Sequence, residues 1–225
     1  MKIEEIETFI IQDWVLLRVH TDSGISGIGE ATFHSQPPAT VEVVNRFREY
    51  LVGQDPLRIE HHWQYMYRFA HFRGAAIMGA LSALDIALWD IAGKHFGVPA
   101  YQLLGGKTRN KARAYFHVFG ETKEELIQGV KDAKAAGATA VGHLTPFLDE
   151  DRDVPYFKTH AEKIGDAIEA VAAYREAAGT GVDLCIEIHR QLTPTESITL
   201  ARGIEKFHPL FYEDPILPDN FDAMA

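Results

Sequence analysis

Along residues 1–34, apolar and polar positions alternate in short runs separated by turn formers: I-E-T-F-I-I at 6–11, W-V-L-L-R-V-H at 14–20, then T-D-S-G-I-S-G-I-G-E-A-T at 21–32. A period of two rich in β-branched and aromatic residues predicts strands, and D-S-G at 22–24 together with Gly27 and Gly29 suits tight turns between antiparallel neighbours. The chain therefore opens with a small meander. From Ala39 to about Glu60, and again from Ala75 to Phe96, the apolar spacing moves to three and four, and Leu81, Leu84, Leu88 and Ile91 form one helical stripe. Gly97-Val98-Pro99 ends the second of these stretches, since Gly accepts the left-handed turn at a helix C-terminus and Pro cannot continue the helix.

Beyond Leu103-Leu104-Gly105-Gly106 the rhythm becomes strand, helix, strand, helix. Strands are expected at 112–118, 138–144, 182–189 and 210–213, with helices at 123–136, 159–178 and 194–207. Strand spacings of roughly 30 to 40 residues with a helix between them predict parallel pairing through crossover helices. In such sheets ligands collect at the carboxyl ends of the strands. Two of these ends carry chemistry. C-I-E-I-H-R-Q at 185–191 places Glu187 and His189 on one face of a strand, and L-F-Y-E-D-P at 210–215 ends its apolar run on Glu213. A half-exposed edge strand would accommodate the pair at 187 and 189, as would a metal site inside a barrel, and alternation leaves both readings open. The segment Gly105-Gly106-Lys107 is the expected boundary, dividing the chain into domains 1–106 and 107–225.

A chain of 225 residues with 46% hydrophobic content can bury a substantial core. Its 22 Lys and Arg against 32 Asp and Glu leave a formal charge of −10, and no basic run is long enough to follow a phosphate backbone, which argues against a nucleic-acid partner. The single Cys185 excludes an internal disulfide, no charged N-terminal segment leads into an apolar one, and no apolar stretch is expected to approach about 18 residues. A cytoplasmic protein with no membrane attachment is the expectation. Gly27 and Gly29 lack the spacing of a dinucleotide fingerprint, and no nucleophile elbow, phosphate loop or zinc-type Cys/His spacing occurs.

The run A-L-S-A-L-D-I-A-L-W-D-I-A-G-K-H-F-G-V-P-A-Y-Q-L-L-G-G at 80–106 closely resembles the segment joining the capping domain to the barrel in the mandelate racemase and muconate lactonizing branch of the enolase superfamily. Within that branch, V-D-L-C-I-E-I-H at 182–189 and H-P-L-F-Y-E-D-P-I at 208–216 look most like the sugar-acid dehydratases, galactonate and mannonate dehydratases among them. The resemblance implies an α+β capping domain followed by the first four strands of a TIM-like (β/α) barrel. It further implies removal of the proton alpha to a carboxylate, with the resulting enediolate stabilised on Mg²⁺ held by three acidic ligands from successive strands. Carried across by position, Glu187 is the first ligand and Glu213 the second, while His189 is the general acid that protonates a departing beta-hydroxyl. Tyr156, in the acidic loop D-E-D-R-D-V-P-Y at 149–156, lies where the mannonate dehydratases carry a loop Tyr that serves as base. The implied reaction is loss of water from an aldonate to give a 2-keto-3-deoxy acid. The alternatives are an acid-sugar epimerase or racemase, and a metal-free remnant that acts only through subunit association.

Several positions depart from the family pattern. The usual residue at 187 is Asp, and the extra methylene of Glu moves the carboxylate by roughly a carbon–carbon bond, on the scale where a misplacement of about 1 Å is costly. On the second barrel strand, T-A-V-G-H-L-T at 139–145 carries no Lys base. Alternation there puts Gly142 and Leu144 inward and His143 toward the outer helices unless a bulge changes the register. About 120 residues follow Gly106, against about 250 for a whole eight-stranded barrel, so the third ligand and a His-Asp pair are expected beyond Ala225. The open edges of a four-stranded sheet predict self-association as a homo-oligomer.

The loop F-H-S-Q-P-P at 33–38 and the run H-H-W-Q-Y-M-Y-R-F-A-H-F-R at 61–73 fall where the family's capping domain closes over its substrate. His34, Arg68 and Arg73 are the candidates there for binding the carboxylate and hydroxyls of a sugar acid, whereas Trp63, Tyr65, Met66 and Phe69 are expected to pack the domain. Asp85 and Asp90 are read as structural. Asp214-Pro215 is read as a strand-exit turn with extended backbone before the proline.

Overall fold

The N-terminal alternation forms an antiparallel meander of β1 (Ile3–Ile11), β2 (Trp14–Thr21) and β3 (Ser26–Glu30), in that order across the sheet. One face of β2 carries Val15, Leu17, Val19 and Thr21, all buried, and the other carries Leu16, Arg18 and His20. The turn between β2 and β3 has Gly24 at φ 80°, as the D-S-G signal predicts. These coordinates are a computed structural model that describes residues 1–33, 36–69, 71–147 and 158–225, and the chain divides into two units, Met1–Asn110 and Lys111–Ala225.

Three helices complete the first unit: α1 (Pro37–Leu51), α2 (Ile59–Phe69) and α3 (Ala75–Phe96), followed by the single turn α4 (Ala100–Leu103). The stripe of Leu81, Leu84, Leu88 and Ile91 on α3 is buried against the meander, and Gly97 closes the helix at φ 69° with its N–H on the carbonyls of Gly93 and Lys94. Among the described residues α3 is long and apolar enough to cross a membrane by length and composition, which corrects the expectation that no stretch approaches that length. Its place in the core of the unit accounts for that composition. Gly27 and Gly29 also need correction, since they lie inside β3 and make no turn. A Cβ at Gly27 would sit 2.0 Å from the Ala87 carbonyl oxygen and one at Gly29 1.9 Å from that of Ala83, so the two glycines let β3 approach the backbone of α3. Asp90 reinforces the contact by accepting from the Ile28 N–H at 3.0 Å and from Lys94 Nζ at 2.8 Å.

The second unit alternates β4 (Phe116–His117), α5 (Lys123–Ala135), β5 (Ala140–Leu144), α6 (His160–Ala178), β6 (Asp183–Glu187), α7 (Pro194–Ile204), a 3₁₀ turn at Glu205–Phe207, β7 (Phe211–Glu213) and the short α8 (Phe221–Met224). The four strands are parallel and ordered β4-β5-β6-β7, so each neighbouring pair is joined by a helical crossover. Each crossover helix begins with a reciprocal capping box, at Thr122 with Glu125, Thr159 with Glu162 and Thr193 with Glu196. Such caps contribute about 1 kcal/mol each and fix where a helix starts. The core lies on one face of the sheet, where Val141, Leu144, Leu184, Ile186 and Ile188 meet Leu126, Val130, Ile164, Val171 and Leu200 from the helices. Arg175 on α6 fastens the lower side of this layer by donating to the carbonyls of Phe207, Gly179, Val182 and His208 at 2.7 to 3.1 Å.

Candidate metal centre

Glu187 and Glu213 are the last residues of β6 and β7 and are paired directly in the parallel register. Side chains at paired positions leave a sheet on the same side. Because Leu184, Ile186 and Ile188 turn toward the helices, Cys185, Glu187 and His189 occupy the opposite face. The two strand ends stay together beyond the last formal pair. Ile188 N–H donates to the Glu213 carbonyl at 3.1 Å, Arg190 N–H to that of Asp214 at 2.6 Å and Leu192 N–H to that of Pro215 at 3.1 Å, and the Arg190 guanidinium pairs with the Asp214 carboxylate. His189, Arg190 and Asp214 are all left-handed, at φ 54°, 62° and 50°. The exit turn at Asp214-Pro215 thus forms through a left-handed residue and not through the extended backbone expected before proline.

β5 breaks its alternation at the site. Gly142 faces the same side as Cys185, and a Cβ there would lie 2.3 Å from the Tyr115 ring. The register then shifts between Val141 and Leu144, and His143 takes φ 60°. As a result Gly142 and His143 both present to the site face, and Leu144, expected inward, is buried in the helix-side core. A bulge that aims an extra side chain is a common device beside functional sites.

His143 Nδ1 stands 2.8 Å from one oxygen of Glu187, and His189 Nε2 stands 2.6 Å from the other. The carboxylate thus accepts from an imidazole on either side, with its own side chain only 16% exposed. The described donor atoms that lie within 4.8 Å of one another belong to His143, Glu187 and His189, a set that does not include Glu213. His117, at the end of β4, stacks on His143 with centroids 5.3 Å apart and rings 16° from parallel, and His143 meets His189 edge-on at 5.2 Å. Phe119 lies against the same His143 ring at 4.9 Å. Desolvation of its ring, followed by the nearby Glu213, Cys185 and Glu187, holds the Tyr115 phenol above its ordinary value, and burial pushes the Cys185 thiol up to about 11. Cys185 therefore stays protonated at neutral pH. A cleft of about 890 Å³ opens beside His143 and His189, walled by Phe119, Leu126 and Phe147.

Of the residues singled out from sequence, the structure brings Glu187 and His189 into contact and sets Glu213 in register beside Glu187. His34 and Tyr156 lie outside the described residues. Arg68 and Arg73 belong to the first unit. Arg68 borders a shallow surface cavity with His61 and Tyr65, while the Arg73 guanidinium covers the Tyr67 ring at 4.0 Å and donates to the Tyr67 carbonyl. Met66 is buried there as expected, but Tyr65 and Phe69 are exposed, Tyr65 stacking on Tyr50 at 3.7 Å. Sequence reasoning missed His143, His117 and Tyr115 as site neighbours. Only the two strand-end histidines, at 117 and 143, carried a signal, and alternation placed the second toward the helices unless a bulge intervened, as the register shift between Val141 and Leu144 does.

Carboxylates and imidazoles gathered at the carboxyl ends of a parallel β/α sheet define a (β/α)-barrel type of site. Comparison with known proteins agrees. Residues 4–105 match the family described as mandelate racemase / muconate lactonizing enzyme, N-terminal domain, and residues 133–225 match the enolase C-terminal domain-like family. The chain belongs to the mandelate racemase and muconate lactonizing branch of the enolase superfamily, whose fold is a TIM barrel with an N-terminal capping domain. The four parallel strands described above form a partial sheet of that kind.

Among its relatives, the D-galactonate dehydratase of Pectobacterium atrosepticum is 36% identical over 222 residues, covering 98% of this chain and 56% of that protein. The D-galactonate dehydratase of Ralstonia pickettii is 35% identical over 227 residues, covering 100% and 58%. Of solved structures, a mandelate racemase/muconate lactonizing enzyme from Jannaschia sp. CCS1 superposes with a TM-score of 0.86 at 29% identity, covering 100% of this chain and 64% of that one. An enolase from Pantoea ananatis with bound D-gluconate and Mg superposes with a TM-score of 0.87 at 25% identity, covering 99% and 62%. The chain thus spans a little over half the length of these curated relatives.

Proposed function

We propose that the protein of which this chain carries the capping unit, residues 1–106, and the first barrel strands, residues 107–225, is a metal-dependent sugar-acid dehydratase. It removes water from an aldonate to give a 2-keto-3-deoxy acid. The observation that carries this reading is the direct pairing of Glu187 with Glu213 at adjacent strand ends, with His189 against the first of them. The relatives named D-galactonate dehydratase support it. Oxygen donors from neighbouring strand ends suit a hard divalent cation such as Mg²⁺, and Glu187 and Glu213 would hold it together with a ligand from a later strand. When bound, the cation would supply positive charge that stabilises the substrate carboxylate as negative charge builds on it once a base, Tyr156 by family position, has taken the alpha proton. His189 donates its proton to the beta-hydroxyl, the carbon–oxygen bond breaks, water departs, and the enol that remains tautomerises to the keto acid. Arg68, Arg73, His34 and Tyr156 are assigned to binding or proton transfer in this reading by family position alone.

The test is incubation with Mg²⁺ and a panel of aldonates, with the 2-keto acid measured as it accumulates. Product from one aldonate, lost in His189→Asn and Glu213→Gln, is expected. Solvent deuterium appearing at C2 without keto acid would replace dehydration by epimerisation, and the absence of saturable metal binding with aldonate present would remove the reading.

A further inference from the structure

We propose that His143 is a positioning residue that acts through Glu187: its imidazole fixes the reach and plane of that carboxylate, and the kink in β5 is what brings the ring there. The effect on rate rests on the dehydratase reading, whereas the contact itself belongs to this chain and is tested apart from that reading.

A glutamate at a strand end has a long, flexible side chain, and holding its carboxylate in one place takes partners that offset the lost rotamer freedom. Two imidazoles meet Glu187. His189 Nε2 stands 2.6 Å from one oxygen, and His143 Nδ1 donates to the other at 2.8 Å. Their duties differ. In the dehydratase reading His189 gives its proton to the substrate hydroxyl, so its hold on Glu187 is released when the carbon–oxygen bond breaks. His143 takes no part in that transfer and keeps the carboxylate in place throughout. An ionised carboxylate only accepts hydrogen bonds, so the His143 proton that faces it sits on Nδ1. With one donor on one edge of each oxygen, the remaining lone pairs of Glu187 are free to serve the reaction.

The ring is fixed from its own side as well. His117 stacks on it at 5.3 Å, with the His117 Nε2 3.2 Å from Tyr115 Oη, and Phe119 lies against it at 4.9 Å. The backbone is anchored before and after the kink. Val118 N–H donates to the Gly142 carbonyl at 3.0 Å, Leu144 is buried among the helices, and the buried Tyr174 donates its hydroxyl to the Thr145 carbonyl at 2.9 Å. Such surroundings keep His143 at φ 60°, a conformation that is unfavourable for a residue with a side chain and that persists where the neighbouring structure over-determines it. Without the kink His143 would face the helices and Glu187 would have His189 alone.

Two substitutions that suit a left-handed backbone separate the donor from the fold. His143→Gly removes the imidazole, and His143→Asn keeps an N–H close to the place of Nδ1. In the full 225-residue chain, labelled with ¹⁵N and ¹³C, long-range proton–nitrogen spectra are expected to show His143 protonated on Nδ1. The carboxyl carbon signal of Glu187 is expected to move in His143→Gly and to stay near its original place in His143→Asn. With Mg²⁺ and an aldonate that reacts, kcat is expected to fall roughly tenfold to a hundredfold in His143→Gly, the scale for residues that orient a functional carboxylate from behind, with KM little changed and most of the loss restored in His143→Asn. A His143 protonated on Nε2 alone, a Glu187 signal indifferent to His143→Gly, or a loss of kcat that His143→Asn does not restore overturns the proposal. Should His143→Gly not fold, the protonated nitrogen in the unaltered chain and the kcat of His143→Asn decide in its place. Keto acid formed by His143→Gly at an unchanged rate sinks this inference alone, whereas no keto acid from the unaltered protein, with Nδ1 protonated and the Glu187 signal moved as expected, sinks only the dehydratase reading.

Discussion

Replacing Glu187 by Gln keeps the shape of the side chain and removes its charge, which isolates what the carboxylate contributes to the folded second unit. The carboxylate accepts from His143 at 2.8 Å and from His189 at 2.6 Å with 16% of its side chain exposed. An amide keeps one acceptor oxygen, so one imidazole must face an N–H₂ group or change tautomer. One charge-assisted hydrogen bond of about 1.5–3 kcal/mol is lost, and the other falls to the neutral value of about 0.5–1.5 kcal/mol. With part recovered by the tautomer change, the net loss is about 2 kcal/mol. At a urea dependence of about 1–3 kcal/mol per molar, the midpoint moves down by roughly 1 M. The three tryptophans, Trp14, Trp63 and Trp89, all belong to the first unit, so their fluorescence reads the unit that lacks Glu187, while ellipticity reads both. The ellipticity transition is expected to gain a component about 1 M lower. A midpoint that is unchanged or raised would mean that desolvation cancels the two contacts, and the idea of a stabilising His–Glu–His network would be wrong.

Two further variants test the first unit. Gly29→Ala places a Cβ 1.9 Å from the Ala83 carbonyl oxygen, where ordinary contact begins at 3.4 Å, so β3 and α3 must part by about 1.5 Å and overpacking is expected to cost about 3 kcal/mol. Tryptophan fluorescence in urea measures this, and an unshifted midpoint would show that strand and helix do not approach so closely. His62 is fully buried, with one ring nitrogen 2.9 Å from Tyr50 Oη and the other 2.8 Å from the Asp55 carbonyl oxygen, and burial holds its pKa below the usual 6.5. The unfolded chain therefore binds this proton more readily, so the contribution is full above about pH 6.5 and is lost as pH falls toward the folded value. The urea midpoint followed from pH 8 to 5 should decline through that window, and His62→Asn should decline less; parallel profiles would assign the slope to other groups.

What could be read in advance follows from which features are local. The stripe on α3 was legible because helical spacing holds through it, and the side taken by Glu187 because alternation holds through β6, with Ile188 still buried on the helix side before His189 turns left-handed. The parallel β/α order was legible from the spacing of apolar runs, although β4 shrinks to Phe116 and His117 where a longer strand at 112–118 was expected. Gly27 and Gly29 misled because a glycine in sequence does not say whether the chain bends there or another backbone passes close by. His143 misled for a related reason: its side is set by a positive φ at a residue that is not glycine, and nothing in T-A-V-G-H-L-T marks where the pleat will break.

At position 143 the main chain, and not the residue letter, decides which atom meets the cleft. Two homologues with identical residues at 141–144 would offer nitrogen in one case and hydrocarbon in the other if only the first kept the kink. Tuning that pocket from soft to hard ligands would therefore mean straightening a torsion as much as exchanging a side chain.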